Sequence, residues 1–158
     1  MKMEIVAATA ADLPEILALQ KQAYQSEGAI YDDYSLPPLL ESMEDLLKVS
    51  ERCSILKAVS GGVLVGSVRA YLQDGTCHIG RLMVRPGYRN QGIGTKLMQT
   101  VEACFERAES FELFTGHKSE RNLHLYRKLG YLPFKTEEVT PNLSLIHLKK
   151  RQATPVHA

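Results

Sequence analysis

The run Arg89-Asn90-Gln91-Gly92-Ile93-Gly94-Thr95 carries the clearest chemical signal in this sequence. Its glycines let the backbone turn sharply and come close to a ligand. Helically spaced apolar residues follow, so the run opens a helix. The first amides of a helix have no internal partner, and the helix dipole makes that end positive. Such an end suits phosphate. The spacing excludes two familiar phosphate loops. A P-loop needs lysine directly after its second glycine, and Lys96 does not follow directly. A dinucleotide fingerprint needs a third glycine where Leu97 stands. Taken alone, such a run is equally a plain structural turn.

Other groups could also do chemistry. His78 supplies an imidazole, which titrates near neutrality and can take a proton from an amine. By the period of two in a strand, His78, Gly80 and Leu82 share a face, and Gly80 leaves room beside the imidazole. Glu27, Tyr31, Asp32, Asp33 and Tyr34 cluster upstream. Carboxylates among aromatic rings suit a cationic amine, although the same residues also read as a solvated loop. His117, His124, His147 and His157 lack ligand spacing, so no metal is expected. Cys53, Cys77 and Cys104 form no C-x-x-C pair, which argues against a disulfide framework or a zinc site and for buried free thiols.

These residues need elements to hold them. Residues 3–8 read as a strand, and Thr9 and Asp12 then supply caps for a helix with Pro14 in its first turn. Leu13, Ile16, Leu17, Gln20 and Tyr24 mark its inner face, with Gln20 the polar exception. Residues 26–35 break the pattern. Pro37-Pro38 starts a helix whose buried stripe is Leu39, Leu40, Met43, Leu46 and Leu47. Strands follow at 54–60, 63–72 and 76–84, joined by turns at Gly61-Gly62 and Asp74-Gly75. A helix spans 93–108, a strand 111–115, and a helix 120–129 stopped by Gly130. Strands at 131–135 and 143–149 complete the chain. The order predicts an α/β fold with a mixed, largely antiparallel central sheet of about seven strands and helices on both faces. One domain is expected over 1–150, with 151–158 a flexible tail.

The stretch Ile79-Gly80-Arg81-Leu82-Met83-Val84-Arg85-Pro86-Gly87-Tyr88-Arg89-Asn90-Gln91-Gly92-Ile93-Gly94 closely resembles motif A of the GNAT N-acetyltransferases. Residues 119–131 resemble their motif B, and the order of elements agrees over nearly the whole chain. The resemblance implies that amides from Arg89, Asn90, Gln91, Gly92, Ile93, Gly94 and Thr95 hold the pyrophosphate of acetyl-CoA. It implies a bulge near Leu82, Met83 and Val84, where freed backbone groups pair with the pantetheine arm and an amide near Met83 polarises the acetyl carbonyl. Tyr126 takes the position of the acid that protonates the departing thiolate, and a phenol is protonated at neutral pH. His78 takes the position of a general base, acting directly or through water.

The sequence departs from the family in motif B. Ser119 stands where many members have asparagine, and Asn122 lies one turn before Tyr126, where it could make the missing amide contact to pantetheine. Tyr31, Asp32 and Asp33 fall in the segment that overhangs the acceptor. The implied activity is acetyl transfer to a primary amine by direct attack, the acceptor being a small molecule or a protein amino group. A GNAT-like domain that binds acyl-CoA without turnover is the alternative.

Composition limits the remaining classes. The 158 residues suit one domain, with 44% hydrophobic and 23% charged residues. A formal net charge of +1 gives no sign of a nucleic-acid or membrane-surface binder. No long apolar run opens the chain, and a cytoplasmic monomer or homodimer is expected.

Overall fold

The computed structural model describes residues 2–153. Seven strands form one sheet: β1 (Met3–Ala7), β2 (Ser54–Ser60), β3 (Val63–Gln73), β4 (Thr76–Val84), β5 (Ser110–Gly116), β6 (Leu132–Thr140) and β7 (Leu143–Arg151). Their spatial order is β1-β2-β3-β4-β5-β7-β6. Every neighbouring pair is antiparallel except β4 and β5, which are parallel. A parallel pair needs a crossover. Here the crossover contains helix α5 (Ile93–Ala103), preceded by the glycine run.

Helices cover both faces. Leu97, Met98 and Val101 of α5 pack on Val68, Ala70, Cys77, Ile79, Phe111 and Leu113. The opposite face receives α1 (Leu13–Ala23) and α4 (Met43–Ser50). There Leu13, Ile16, Leu19, Ala23 and Leu46 meet Ile55, Leu64 and Met83. Leu97 is fully buried, so truncating it to alanine removes about 2–5 kcal/mol. The Thr9–Asp12 cap forms, Thr9 N donating to Asp12 Oδ2 at 2.7 Å. Gln20 is buried on the inner face of α1, where it donates to the Pro38 carbonyl at 3.0 Å and to Glu41 Oε1 at 2.9 Å.

Two features of β4 position the site. Its pairing with β5 covers only Thr76, His78 and the residue between them, against Ser110 to Glu112. Beyond His78 the two strands part, and Ile79 to Val84 face a wedge. The pairing of β3 with β4 also shifts register between Ser67 and Arg69. Arg81 takes up the shift with φ 51°, a left-handed conformation rare for a non-glycine residue. The expected bulge is therefore present, and it begins at Arg81. It also reverses the facing of β4. Cys77 and Ile79 point to α5 before it, Leu82 and Val84 after it, and Met83 points to α1.

Several local expectations are corrected. The segment 26–35 is not a simple break, because Gln25–Tyr31 is a helix, α2, ended by Asp32 at φ 48°. The next helix is interrupted. Pro37–Leu40 (α3) stops, and Ser42 starts α4 with a capping box to Asp45. The interruption turns Leu40 and Leu47 outward, at 63% and 44% exposure, so the buried stripe loses both. Helix α5 ends at Ala103 rather than 108. Only Cys77 is a buried thiol; Cys53 is half-buried and Cys104 exposed. Arg151 belongs to β7, so the expected tail does not start there. The rest of that tail, from 154 onward, lies outside the described residues.

Candidate active site

The wedge between β4 and β5 opens into a cleft of about 690 Å³. Its walls come from the end of β4 (Leu82, Met83, Val84), the glycine run, the α1–α2 corner, and α6 (Glu120–Lys128). Of the glycine run, Arg89, Asn90, Gly92, Ile93, Gly94 and Thr95 line the cleft, whereas Gln91 is exposed outside it. Gly92 has φ 80° and caps α5, whose first internal bond runs from Lys96 N to the Gly92 carbonyl at 3.0 Å. A Cβ at Gly92 would meet nothing within 4 Å. Open space therefore lies above backbone amides that no helix bond consumes. Asn90 also adopts a left-handed φ of 65°. Lys118, Arg121, His124 and Lys128 add cationic or titratable groups to the same cleft, against Glu27 and Glu120. Burial, then the nearby charge of Arg121, lowers the pKa of Arg89. Its Nη2 donates to the Ala23 carbonyl at 3.3 Å. Free amides at a helix start, open space and excess positive charge fit a pyrophosphate.

Two tyrosines belong to this region, Tyr24 lining the cleft and the buried Tyr126 on α6 behind its wall. Tyr24 donates from its hydroxyl to the Leu82 carbonyl at 3.3 Å. Burial pushes its pKa up to about 12. Tyr126 is inside the wall rather than on its surface, at 6% exposure, with its ring 6.1 Å from that of Tyr131. Burial raises the Tyr126 pKa strongly, and the charges of Tyr24 and Glu27 raise it further. Its hydroxyl thus stays protonated. Sequence reasoning treated Tyr24 only as a helix-face residue. Its place as the last residue of that face, beside a polar loop, was the available signal.

The other predicted residues are placed less as expected. Asn122 donates to Glu27 Oε1 at 3.2 Å and to Thr115 Oγ1 at 3.3 Å, tying α6 to α2 and β5. Tyr31 is buried; its hydroxyl pairs with Ser119 Oγ at 2.7 Å and accepts from Lys118 N at 2.9 Å. It is a strut between α2 and the start of α6. Asp32 is the exposed left-handed end of α2. Asp33 Oδ1 accepts from Ser35 N at 2.9 Å and from Ser35 Oγ. Neither carboxylate lines the cleft, because the unexpected helix α2 carries both beyond it. Of the acidic cluster, Tyr31 is thus a strut and Asp32 and Asp33 lie in the loop, while Glu27 lines the cleft.

His78 stands on the sheet face opposite α5, stacked on Tyr71 with ring centroids 5.0 Å apart. It lies outside the cleft walls, at the last paired position of β4 before the wedge. Gly80 follows on the same face, and a Cβ there would meet nothing within 4 Å. The open side of Gly80 is thus on the far side of the strand from the glycine run. Among the described residues, no group of three or more His, Cys, Asp or Glu could hold a metal ion, and no helix is long and apolar enough to cross a membrane.

Comparison with known proteins gives this geometry its context. The model of the Acetyltransferase (GNAT) family matches residues 13–131. The UPF0157 protein YqkA of Bacillus subtilis is 29% identical over 144 residues, covering 90% of this chain but 41% of that protein. The chain thus spans well under half of that curated relative. Among solved structures, the PaiA N-acetyltransferase of Thermoplasma acidophilum in complex with coenzyme A superposes with TM-score 0.78 at 19% identity, covering 96% of this chain and all of that one. The ribosomal-protein-S18-alanine N-acetyltransferase of Escherichia coli gives TM-score 0.79 at 16% identity, covering 95% and 94%. At these identities the structures speak for the fold. Together with the family match, they establish that the chain belongs to the Acetyltransferase (GNAT) family.

Proposed function

We propose that the protein transfers an acetyl group from acetyl-CoA to a primary amine by direct attack within a ternary complex. The observation that carries this reading is the cleft that runs from the glycine run to the end of β4, where β4 has parted from β5. The structural neighbour from Thermoplasma acidophilum holds coenzyme A, which supports the same ligand here. When bound, acetyl-CoA supplies an activated acyl thioester.

The chain's own residues do the rest. Amides from Arg89 to Thr95, with Lys118, Arg121 and Lys128, bind the pyrophosphate. Along Leu82, Met83 and Val84, backbone groups on the edge that β5 leaves uncovered pair with the pantetheine arm, which competes with Tyr24 for the Leu82 carbonyl. The Met83 amide donates to the carbonyl oxygen as it gains negative charge. The amine nitrogen forms a bond to the acyl carbon, and the carbon–sulfur bond breaks. Tyr126 gives its proton to the departing sulfur, and a protonated, buried phenol suits that task. His78, directly or through water, removes the proton that the amine must lose. Asn122 steadies Glu27 and α6 beside the arm.

An acceptor screen that monitors thiol release, run beside Tyr126→Phe, tests the reading. Thiol release with some amines, reduced in the variant, is the expected result. Tight coenzyme A binding with no thiol release for any amine would favour a non-catalytic acyl-CoA sensor. Absence of coenzyme A binding removes both.

A further inference from the structure

One carboxylate faces two guanidinium groups where β4 bulges. Glu41 follows α3 and is 8% exposed. Its Oε1 and Oε2 accept from Arg69 Nη1 and Nη2 at 3.0 and 3.1 Å. Oε1 also accepts from Gln20 Nε2 at 2.9 Å. Arg81 Nε lies 3.8 Å from the same oxygen, which is beyond hydrogen-bond reach. Among the described residues, Arg81 Nε is the buried side-chain nitrogen or oxygen that finds no partner.

Such a group is costly to leave unpaired. The arrangement around it is also specific. The pair Arg69–Glu41 is bidentate and complete, so Glu41 has little left to offer a second guanidinium. One carboxylate against Arg69 and Arg81 leaves a net positive charge in a half-buried place. Burial and the Arg69 charge both work against the Arg81 cation. Arg81 is held there by the left-handed backbone of the bulge. The open space lies alongside. Gly80 precedes Arg81, its cross-strand neighbour is Arg69, and His78 shares its face. The Arg81 side chain keeps 18% exposure although its Nε is buried, so a carboxylate in that space would meet its terminal nitrogens and balance the charge.

We propose that the acceptor is an amino carboxylate, such as a free amino acid, whose carboxylate is bound by Arg81 over Gly80 while Glu41 and Arg69 hold Arg81 in place. This rests on the acetyl-transfer reading above and names the acceptor class for it. The amine then faces the end of β4 where the thioester carbonyl is placed. A polyamine brings no anion to match Arg81.

The test compares matched acceptors: alanine, glutamate, methionine and phenylalanine, each as free acid, carboxamide and decarboxylated amine. Thiol release from acetyl-CoA is measured with wild type and with Arg81→Asn, since asparagine tolerates a left-handed backbone. For at least one series, kcat/KM for the free acid should exceed that for the carboxamide by about tenfold, as expected for a charge-assisted hydrogen bond. Arg81→Asn should erase that preference without changing coenzyme A affinity. Equal or better turnover of carboxamides or decarboxylated amines by wild type overturns the inference, whether or not the variant folds. Preference retained in a folded Arg81→Asn overturns it too. If no amine releases thiol, acetyl transfer itself fails. Calorimetry of the free acids against coenzyme A-loaded protein then decides the inference, and no binding contradicts it.

Discussion

The two sides of β4 are built from different materials. On the cleft side the recognition surface is main chain: the amides of a helix start, a left-handed glycine and a strand freed from its ladder. Its main-chain part, from Leu82 to Thr95, is one continuous stretch of sequence. On the far side the surface is side chain. Glu41, Arg69, His78 and Arg81 come from a helix end and two strands, and Gln20 holds one of them from another helix. A backbone site is fixed by local spacing and serves a ligand common to a family. A side-chain site depends on long-range packing and can change its substrate with a few substitutions.

That contrast can be broken at several points. Tyr126→Phe, at the junction of the two sides, should lower kcat by about 100-fold, a typical loss for a missing general acid. The calorimetric Kd for coenzyme A should change by less than about threefold in the same variant. Unchanged turnover sinks proton donation by Tyr126. Glu41→Gln strikes the far side and leaves two guanidinium groups facing no carboxylate, so it should destabilise the fold by about 2 kcal/mol in chemical denaturation.

The pH dependence of that loss has a definite sign. Burial would raise the Glu41 carboxyl, but hydrogen bonds from Arg69 and Gln20 and the charges of Arg69 and Arg81 hold it below its ordinary 4.5. A depressed folded pKa means that the contribution is present above about 4.5 and is lost as pH falls through the folded value. Glu41→Gln should therefore flatten the acid limb of stability against pH, measured by denaturation at successive pH values. An acid limb identical to that of wild type contradicts the assignment.

Gly92→Val strikes the cleft side. A left-handed conformation costs a β-carbon residue about 1–2 kcal/mol. The loop should relax and weaken coenzyme A binding by roughly tenfold, with little change in melting temperature. The smallest effect is expected at the acidic cluster. Asp32→Asn with Asp33→Asn should alter KM for cationic and neutral amines equally, by less than about twofold, because neither carboxylate lines the cleft. Selective loss of cationic acceptors would return that cluster to the site.

The same contrast explains what was legible in the sequence. The strands through β5, the two left-handed hairpin turns at Gly61-Gly62 and Asp74-Gly75, and the glycine run before α5 are local signals that stand close to where the spacing put them, whereas β6 runs on to Thr140, five residues past its expected end. Helix α2 was missed because Gly28 and the polar residues around it weaken the periodicity. Its stability comes instead from tertiary contacts, with Tyr31 buried against Ser119. The Glu41–Arg69–Arg81 cluster was invisible for a related reason. Glu41 is not among the residues expected in the buried stripe of the helix that starts at Pro37-Pro38, and it is the break before Ser42 that leaves it buried. Arg81 carried a weak hint, a charged residue between Gly80 and Leu82 in an otherwise apolar strand. The bulge came from the family resemblance, which put it near Leu82, Met83 and Val84, and it begins just before them at Arg81.

The most direct test of the central claim is an amide-resolved NMR titration of the isotope-labelled protein with coenzyme A. The predicted result is saturable shifts of the amides from Leu82 to Thr95 and along α6, with β6 and β7 unmoved. Saturable binding whose shifts fall on β6 and β7 instead, or no binding at all, would contradict a coenzyme site built on the glycine run and the parted strands.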